Sequence, residues 1–181
     1  MAAEDEAISI DRGSTEDIES LRPLWLQLHR HHQRVGPQSG EFSDDETSWT
    51  VRSGNYRDWL VEPGSFLLLA RRGGEVGPEG SPETLVGYAV VAVKDMTAER
   101  DAWRVADRVA ELETLVVSED VRGAGLGTRL LDRVDAELRE QGIQEIFVGL
   151  IPGNDGAQRL YESRGFRRRW LVLRRDLPER D

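Results

Sequence analysis

The segment Val116–Leu131, VVSEDVRGAGLGTRLL, constrains this chain more than any other. An apolar run ends at Val117, a short polar turn follows, and Arg122-Gly123-Ala124-Gly125-Leu126-Gly127 opens a helical pattern. Glycines at alternate positions keep side chains off the backbone, so consecutive N–H groups can face one anion. The helix start adds its unpaired N–H groups and the positive end of its dipole. Arg122 sets a charged fork beside them. The segment therefore requires a strand-to-helix junction and predicts a phosphate or pyrophosphate site. A Walker A loop is excluded because no lysine precedes Thr128, and the third glycine comes one residue early for a dinucleotide fingerprint. The other reading is a glycine turn without a ligand, in which three glycines at a helix start would cost stability for no use.

The rest of the chain supplies the elements around that junction. Ala7–Asp11 reads as a short first strand. Ser14 is a helix cap with Glu16 and Asp17 in the first turn, and Ile18, Leu21, Leu24, Trp25 and Leu28 continue at helical spacing to Gly36-Pro37. Asp44 or Asp45 starts a second helix carrying Trp49, Tyr56, Trp59 and Leu60, which Pro63-Gly64 stops. Strands are predicted at Ser65–Arg71, Leu85–Val93, Ala110–Val117, Glu145–Ile151 and Trp170–Arg174. Arg72–Glu83 reads as a hairpin loop and Lys94–Arg104 as a polar connection. Helices are predicted at Gly125–Gln141, closed by Gly142, and at Asn154–Arg164. This order implies one α/β (α+β) domain over residues 1–181, a mixed and mostly antiparallel sheet of six to seven strands with about four helices.

Composition removes several classes of function. The chain has no cysteine, which excludes a disulfide scaffold, a thiolate metal site and a cysteine nucleophile. No apolar run approaches the roughly 20 residues of a membrane span. MAAEDEAISID is acidic where a secretory signal would be basic and then apolar, so a cytoplasmic location is expected. The net charge of −10 opposes nucleic-acid binding. It is unevenly placed: residues 1–120 carry 24 acidic and 12 basic side chains, residues 121–181 carry 10 and 12. Lys94 is the single lysine among 24 basic residues, a bias read as coding composition and given no mechanism.

Arg122–Gly127 resembles the Gln/Arg-x-x-Gly-x-Gly/Ala signature of the GNAT superfamily of N-acetyltransferases, which bind acetyl-coenzyme A. A second segment, Asn154-Asp155-Gly156-Ala157-Gln158-Arg159-Leu160-Tyr161-Glu162-Ser163-Arg164-Gly165-Phe166, resembles that superfamily's Asn-x-x-Ala-x-x-Leu/Phe-Tyr-x-x-x-Gly-Phe pattern and matches at each specified position. The resemblance covers about Leu85–Phe166. It implies that backbone groups of Arg122, Gly123, Ala124, Gly125, Leu126, Gly127 and Thr128 hold the coenzyme pyrophosphate. It implies too that the edge of Leu115, Val116 and Val117 binds the pantetheine arm and polarises the thioester carbonyl. Asn154 and Ala157 join the cofactor site by the same likeness, although Asn154 alone reads as a helix cap. Tyr161 is implied as the general acid that protonates the departing thiolate, and without the likeness it reads as a packing tyrosine.

Glu111 and Glu113 lie two apart in an apolar strand and share a face if the strand is regular. Glu111, eleven residues before Arg122, stands where some superfamily members carry a catalytic glutamate. Either carboxylate is a candidate general base, and a solvated strand start explains them equally. The expected reaction is acetyl transfer from acetyl-CoA to a primary amine by direct attack, with no metal. The alternatives are a non-catalytic acyl-CoA sensor and a nucleotide-binding module. His29, His31, His32, Trp49, Tyr56 and Trp59 occupy the acceptor region implied by the likeness. The histidines read as a solvated cluster suited to a helix C-terminus rather than as metal ligands. Asp44, Asp45, Glu46, Asp58 and Glu62 suggest a cationic acceptor: a small amine, polyamine-like compound or peptide amine. No nucleic-acid or membrane partner is expected. A homodimer stays open, since many superfamily members form one.

Overall fold

The computed structural model describes residues 8–73, 83–96 and 106–175. Five strands form one sheet in the order β1 (Ile8–Gly13), β2 (Phe66–Arg72), β3 (Thr84–Asp95), β4 (Arg108–Val117) and β5 (Ile146–Val148). The first four are antiparallel neighbours, and β5 lies parallel to β4. A parallel pair needs a crossover, and α3 (Leu126–Glu140) supplies it.

Ser14 starts the first helical region as expected: its Oγ accepts from the Glu16 N–H while Asp17 accepts from the Ser14 N–H at 2.9 Å. The predicted single helix is divided. Thr15–Leu21 is 3₁₀, and α1 (Arg22–Val35) begins beside Pro23, which cannot donate to the preceding turn but fits a helix start. Asp44 caps α2 (Asp45–Leu60) through the Thr47 N–H at 2.9 Å. Asn154 caps α4 (Asp155–Ser163).

Both faces of the sheet are covered. Phe66, Leu68, Ala89, Val91, Ala110 and Leu112 pack on the side of α3 and α4. Leu67, Leu69, Tyr88, Val90 and Val116 pack on the side of α1 and α2. Strands buried on both faces lose the in/out alternation, which is why their sequences read as continuous apolar runs.

Two predicted strands are corrected. Glu145–Ile151 is cut to the three residues of β5, and Trp170–Arg174 forms no strand, so the sheet has five strands among the described residues rather than six to seven. The physical reason is pairing. β5 meets β4 only over Ala110–Leu112, and among the described residues Trp170–Arg174 joins no ladder of the sheet. Leu171, Val172 and Leu173 are each about four-fifths exposed. Ala7, residues 74–82 of the expected hairpin loop and residues 97–104 of the polar connection lie outside the described residues. No described helix is long and apolar enough to cross a membrane.

Candidate active site

The site begins with an irregularity in β4. Val90 pairs with Thr114 and Val91 with Leu112, so Glu113 is an extra residue that β3 does not match. A bulge of this kind reverses side-chain parity beyond it. Ala110 and Leu112 face α3 and α4 before it; Leu115 and Val117 do so after it. Thr114 and Val116 are thereby turned toward α1 and α2.

The same shift sets the hydrogen-bonding edge. Ala110 N–H bonds the Glu145 carbonyl on the β5 side, and Ser118 N–H bonds the Val86 carbonyl on the β3 side. By alternation, Leu115 and Val117 direct their backbone groups away from β3. Among the described residues no strand lies there, because β5 pairs no further than Leu112. Val116 belongs to the β3 ladder and its side chain to the core. The sheet splays beyond Leu112 and leaves an edge at Leu115 and Val117 that no described strand pairs, with only the Val117 carbonyl engaged, by the Arg122 side chain.

The glycine turn adjoins that edge. Gly123 and Gly125 have φ of +82° and +80°, and the space where a Cβ would stand is open at both. The first helical bond nearby runs from Arg129 N–H to the Gly125 carbonyl at 3.1 Å, which leaves the N–H groups of Leu126, Gly127 and Thr128 at the helix end. Gly127 is small for a different reason: a Cβ there would stand 3.3 Å from Leu160 Cδ2, where α3 meets α4. Leu126 is buried in the core. Arg122 braces the turn, donating from Nε to the Val117 carbonyl at 3.1 Å and lying 3.4 Å from Glu119. Exposed Ala124 needs no side-chain partner for a backbone role.

Asn154 Oδ1 accepts from Ala157 N–H at 3.3 Å and lies 3.4 Å from His31 Nε2, joining the start of α4 to the end of α1. Tyr161 is 6% exposed, with its ring against Phe166. Its hydroxyl has no hydrogen-bond partner among the described residues, and it is not among their sealed unpartnered atoms, so it reaches solvent. Burial alone pushes its phenol well above the usual range and keeps it protonated.

Glu111 and Glu113 meet at Lys94. The ammonium bonds Glu111 Oε2 and lies 3.2 Å from Glu113 Oε1. Burial, and then the charge of Glu111, raise the Glu113 carboxyl above the ordinary range against the opposing pull of Lys94 and Arg52. Burial alone would lower Lys94, but its bonds to the two glutamates outweigh that and hold it high. The pair is therefore a bridged cluster beside the bulge rather than a solvated strand start. Sequence reasoning missed Lys94 although its rarity marked it.

The region expected from the sequence to face an acceptor is assembled by α1 and α2. Tyr56 is fully buried, and its hydroxyl lies 2.8 Å from Thr114 Oγ1 and 3.0 Å from the Tyr88 hydroxyl. Burial raises Tyr56 to about 12. Trp49 is core and Trp59 packs at its rim. The expectation of a solvated histidine cluster is corrected. His29 is buried, 2.9 Å from the Ser43 carbonyl and stacked on Trp25. His32 is lowered to about 4, by burial first and then by His31, His29 and Arg52. Among the described residues no metal-binding group is formed. Asp44 is spent on its cap, while Asp45 and Glu46 pair with Arg30 and Arg22 at 2.5 Å each, outside the cleft.

The profile of the Acetyltransferase (GNAT) family matches residues 25–166. A mycothiol acetyltransferase of Thermobispora bispora is 30% identical over 151 residues, covering 82% of this chain and 43% of that protein. The chain thus spans less than half the length of that relative. A mutant of the BH1408 protein from Bacillus halodurans superposes with a TM-score of 0.71 at 19% identity, covering 94% of this chain and 99% of that one. An aminoglycoside N-acetyltransferase solved in complex with CoA gives 0.66 at 16% identity, covering 97% and 99%. These two structures share the fold.

Proposed function

The chain belongs to the Acetyltransferase (GNAT) family, and from that membership we propose that it transfers an acetyl group from acetyl-CoA to a primary amine by direct attack. The observation that carries this reading is the open β4 edge at Leu115 and Val117, set beside a turn of unpaired N–H groups. An extended, hydrogen-bonding arm ending in a pyrophosphate needs such a pair of features. The edge would bind the arm as an added strand, and the turn with the α3 N-terminus would hold the phosphates.

Bound there, acetyl-CoA supplies an activated acetyl thioester. The acceptor is a primary amine: a small amine, polyamine-like compound or peptide amine. Its ammonium loses a proton toward Glu113 or Glu111, directly or through water. Its raised carboxyl makes Glu113 a better proton acceptor than an ordinary glutamate. Nitrogen then bonds the acetyl carbon as the carbon–sulfur bond breaks, and the second proton it sheds passes through water to restore the phenol that protonates the sulfur. A backbone N–H of the β4 edge steadies charge on the carbonyl oxygen, and Tyr161 gives its proton to the sulfur. Without a cysteine, the chain offers no thiol for an acetyl-enzyme intermediate. Thiol release from acetyl-CoA over an amine panel tests the reading: amine-dependent release with an N-acetylated product is expected. Coenzyme binding with no release to any amine would make the chain an acyl-CoA sensor instead.

A further inference from the structure

Arg52 stands apart from its neighbours. On the outer surface of the same two helices, Arg22, Arg30 and Arg57 pair with Glu46, Asp45 and Glu19. Arg52 is half-buried, its guanidinium carbon 4.5 Å from the Trp25 ring centre, 5.4 Å from Trp59 and 5.8 Å from Tyr56. Among the described residues no carboxylate lies within ion-pair reach of it, and no acceptor takes its hydrogen bonds. Aromatic faces attract the cation but leave its fork of N–H donors unanswered.

The groups around Arg52 define what would answer it. Tyr56 touches Thr114, the residue after the bulge, which places this cradle on the face of the sheet that carries Glu113. Lys94, Glu111 and Glu113 together hold one net negative charge at that face. His32, also within electrostatic range of Arg52, is neutral near pH 7. This face of the sheet therefore carries on α2 a cation with no ion-pair partner among the described residues, and on β4 a net negative cluster within electrostatic range of it. Of the five acidic residues that suggested a cationic acceptor, Asp44, Asp45 and Glu46 are committed elsewhere.

We propose that the acceptor is an amino-carboxylate: Arg52 receives its carboxylate from the Trp25–Tyr56–Trp59 cradle, and the Glu113 side of the cleft receives its amine. The inference rests on the acetyl-transfer reading and narrows its acceptor. A planar guanidinium matches a carboxylate through two parallel hydrogen bonds. One cation without an ion-pair partner matches one carboxylate, whereas a phosphate ester would bring close to two charges.

The test is initial-rate thiol release with acetyl-CoA and matched acceptors: amino acids, their carboxamides, an aminoalkyl phosphate and a diamine. Amino acids are expected to exceed their carboxamides by about 10–100-fold in kcat/KM, chiefly through KM, the yield of one bidentate ion pair (about 1.4–2.8 kcal/mol). Arg52→Gln should bring that ratio close to one, and Arg52→Lys should restore part of it. Retained thermal protection by acetyl-CoA in both variants shows that the fold survives. Carboxamides or the diamine performing as well as amino acids would overturn the proposal, as would preference for the phosphate or a ratio indifferent to Arg52. Each of those outcomes leaves acetyl transfer standing. Failure of every amine to release thiol would overturn acetyl transfer, and the acceptor assignment with it.

Discussion

Tyr161→Phe separates catalysis from packing at the residue where the two are most easily confused. The ring is buried against Phe166, so losing it would open a cavity, but phenylalanine keeps the ring. The lost atom is a hydroxyl without a hydrogen-bond partner among the described residues that already reaches solvent. Removing it breaks no intramolecular hydrogen bond, so the stability change should stay within about 1 kcal/mol, against the 1–3 kcal/mol of an orphaned buried partner. For a chain of this size that is a shift of no more than about 2–4 °C in thermal midpoint. Catalysis should change far more. Loss of a positioned acid costs about 10²–10⁴-fold in turnover. The assay pairs kcat for a good acceptor with the acetyl-CoA KM and the melting temperature. The expected pattern is a large fall in kcat, little change in KM and an almost unmoved melt. Because burial raises the phenol, its deprotonation should also leave no alkaline fall in wild-type activity below about pH 10. Unchanged kcat, or a fall that tracks a lowered melting temperature, would reduce Tyr161 to a packing residue.

Other perturbations test neighbouring parts of the construction. Gly125→Ala forces a side chain into φ of +80° without meeting any atom, so backbone strain alone should cost about 1–2 kcal/mol, read as a lower melting temperature with weaker acetyl-CoA binding. Tyr56→Phe and Thr114→Val share one buried hydrogen bond, and a double-mutant cycle in denaturant should return a coupling of about 0.5–3 kcal/mol; additive losses would deny the contact. His32 has a folded pKa of about 4 against 6.5, so its contribution to stability is complete above pH 6.5 and lost as pH falls toward 4. His32→Gln should flatten the melting temperature across that window, and an unaltered slope would assign the loss to other groups.

Much of this construction was legible before any coordinates, because its signals are local. A left-handed glycine at a helix start, an asparagine cap and a serine cap each depend on a few adjacent residues. Trp170–Arg174 misled for the converse reason. Its apolar run has the composition of a strand, but a strand is made by a ladder with a neighbouring strand, and among the described residues this segment joins none. His29 was read from its place near a helix end, whereas Ser43, fourteen residues away, holds it in the core. Arg52 drew no notice because its three aromatic partners come from two helices whose packing the sequence does not reveal. Lys94 bridges two carboxylates 17 and 19 positions away, which depends on strand register.

The residue that binds these parts into one site is the extra one in β4. Were β4 regular, Thr114 and Val116 would follow Ala110 and Leu112 toward α3 and α4, and the Tyr56 hydroxyl would lose its partner. Leu115 and Val117 would turn their backbone groups to β3, closing the edge on which an added strand could pair. With Glu113 inserted, the strand hands its free edge to the glycine turn while keeping Glu111, Glu113 and Thr114 in reach of α1, α2 and Lys94. A shift of one residue thus joins the proposed coenzyme edge to the acceptor cleft. Substitution at Glu113 that keeps the bulge should alter chemistry alone, whereas deletion of Glu113 should remove coenzyme binding as well.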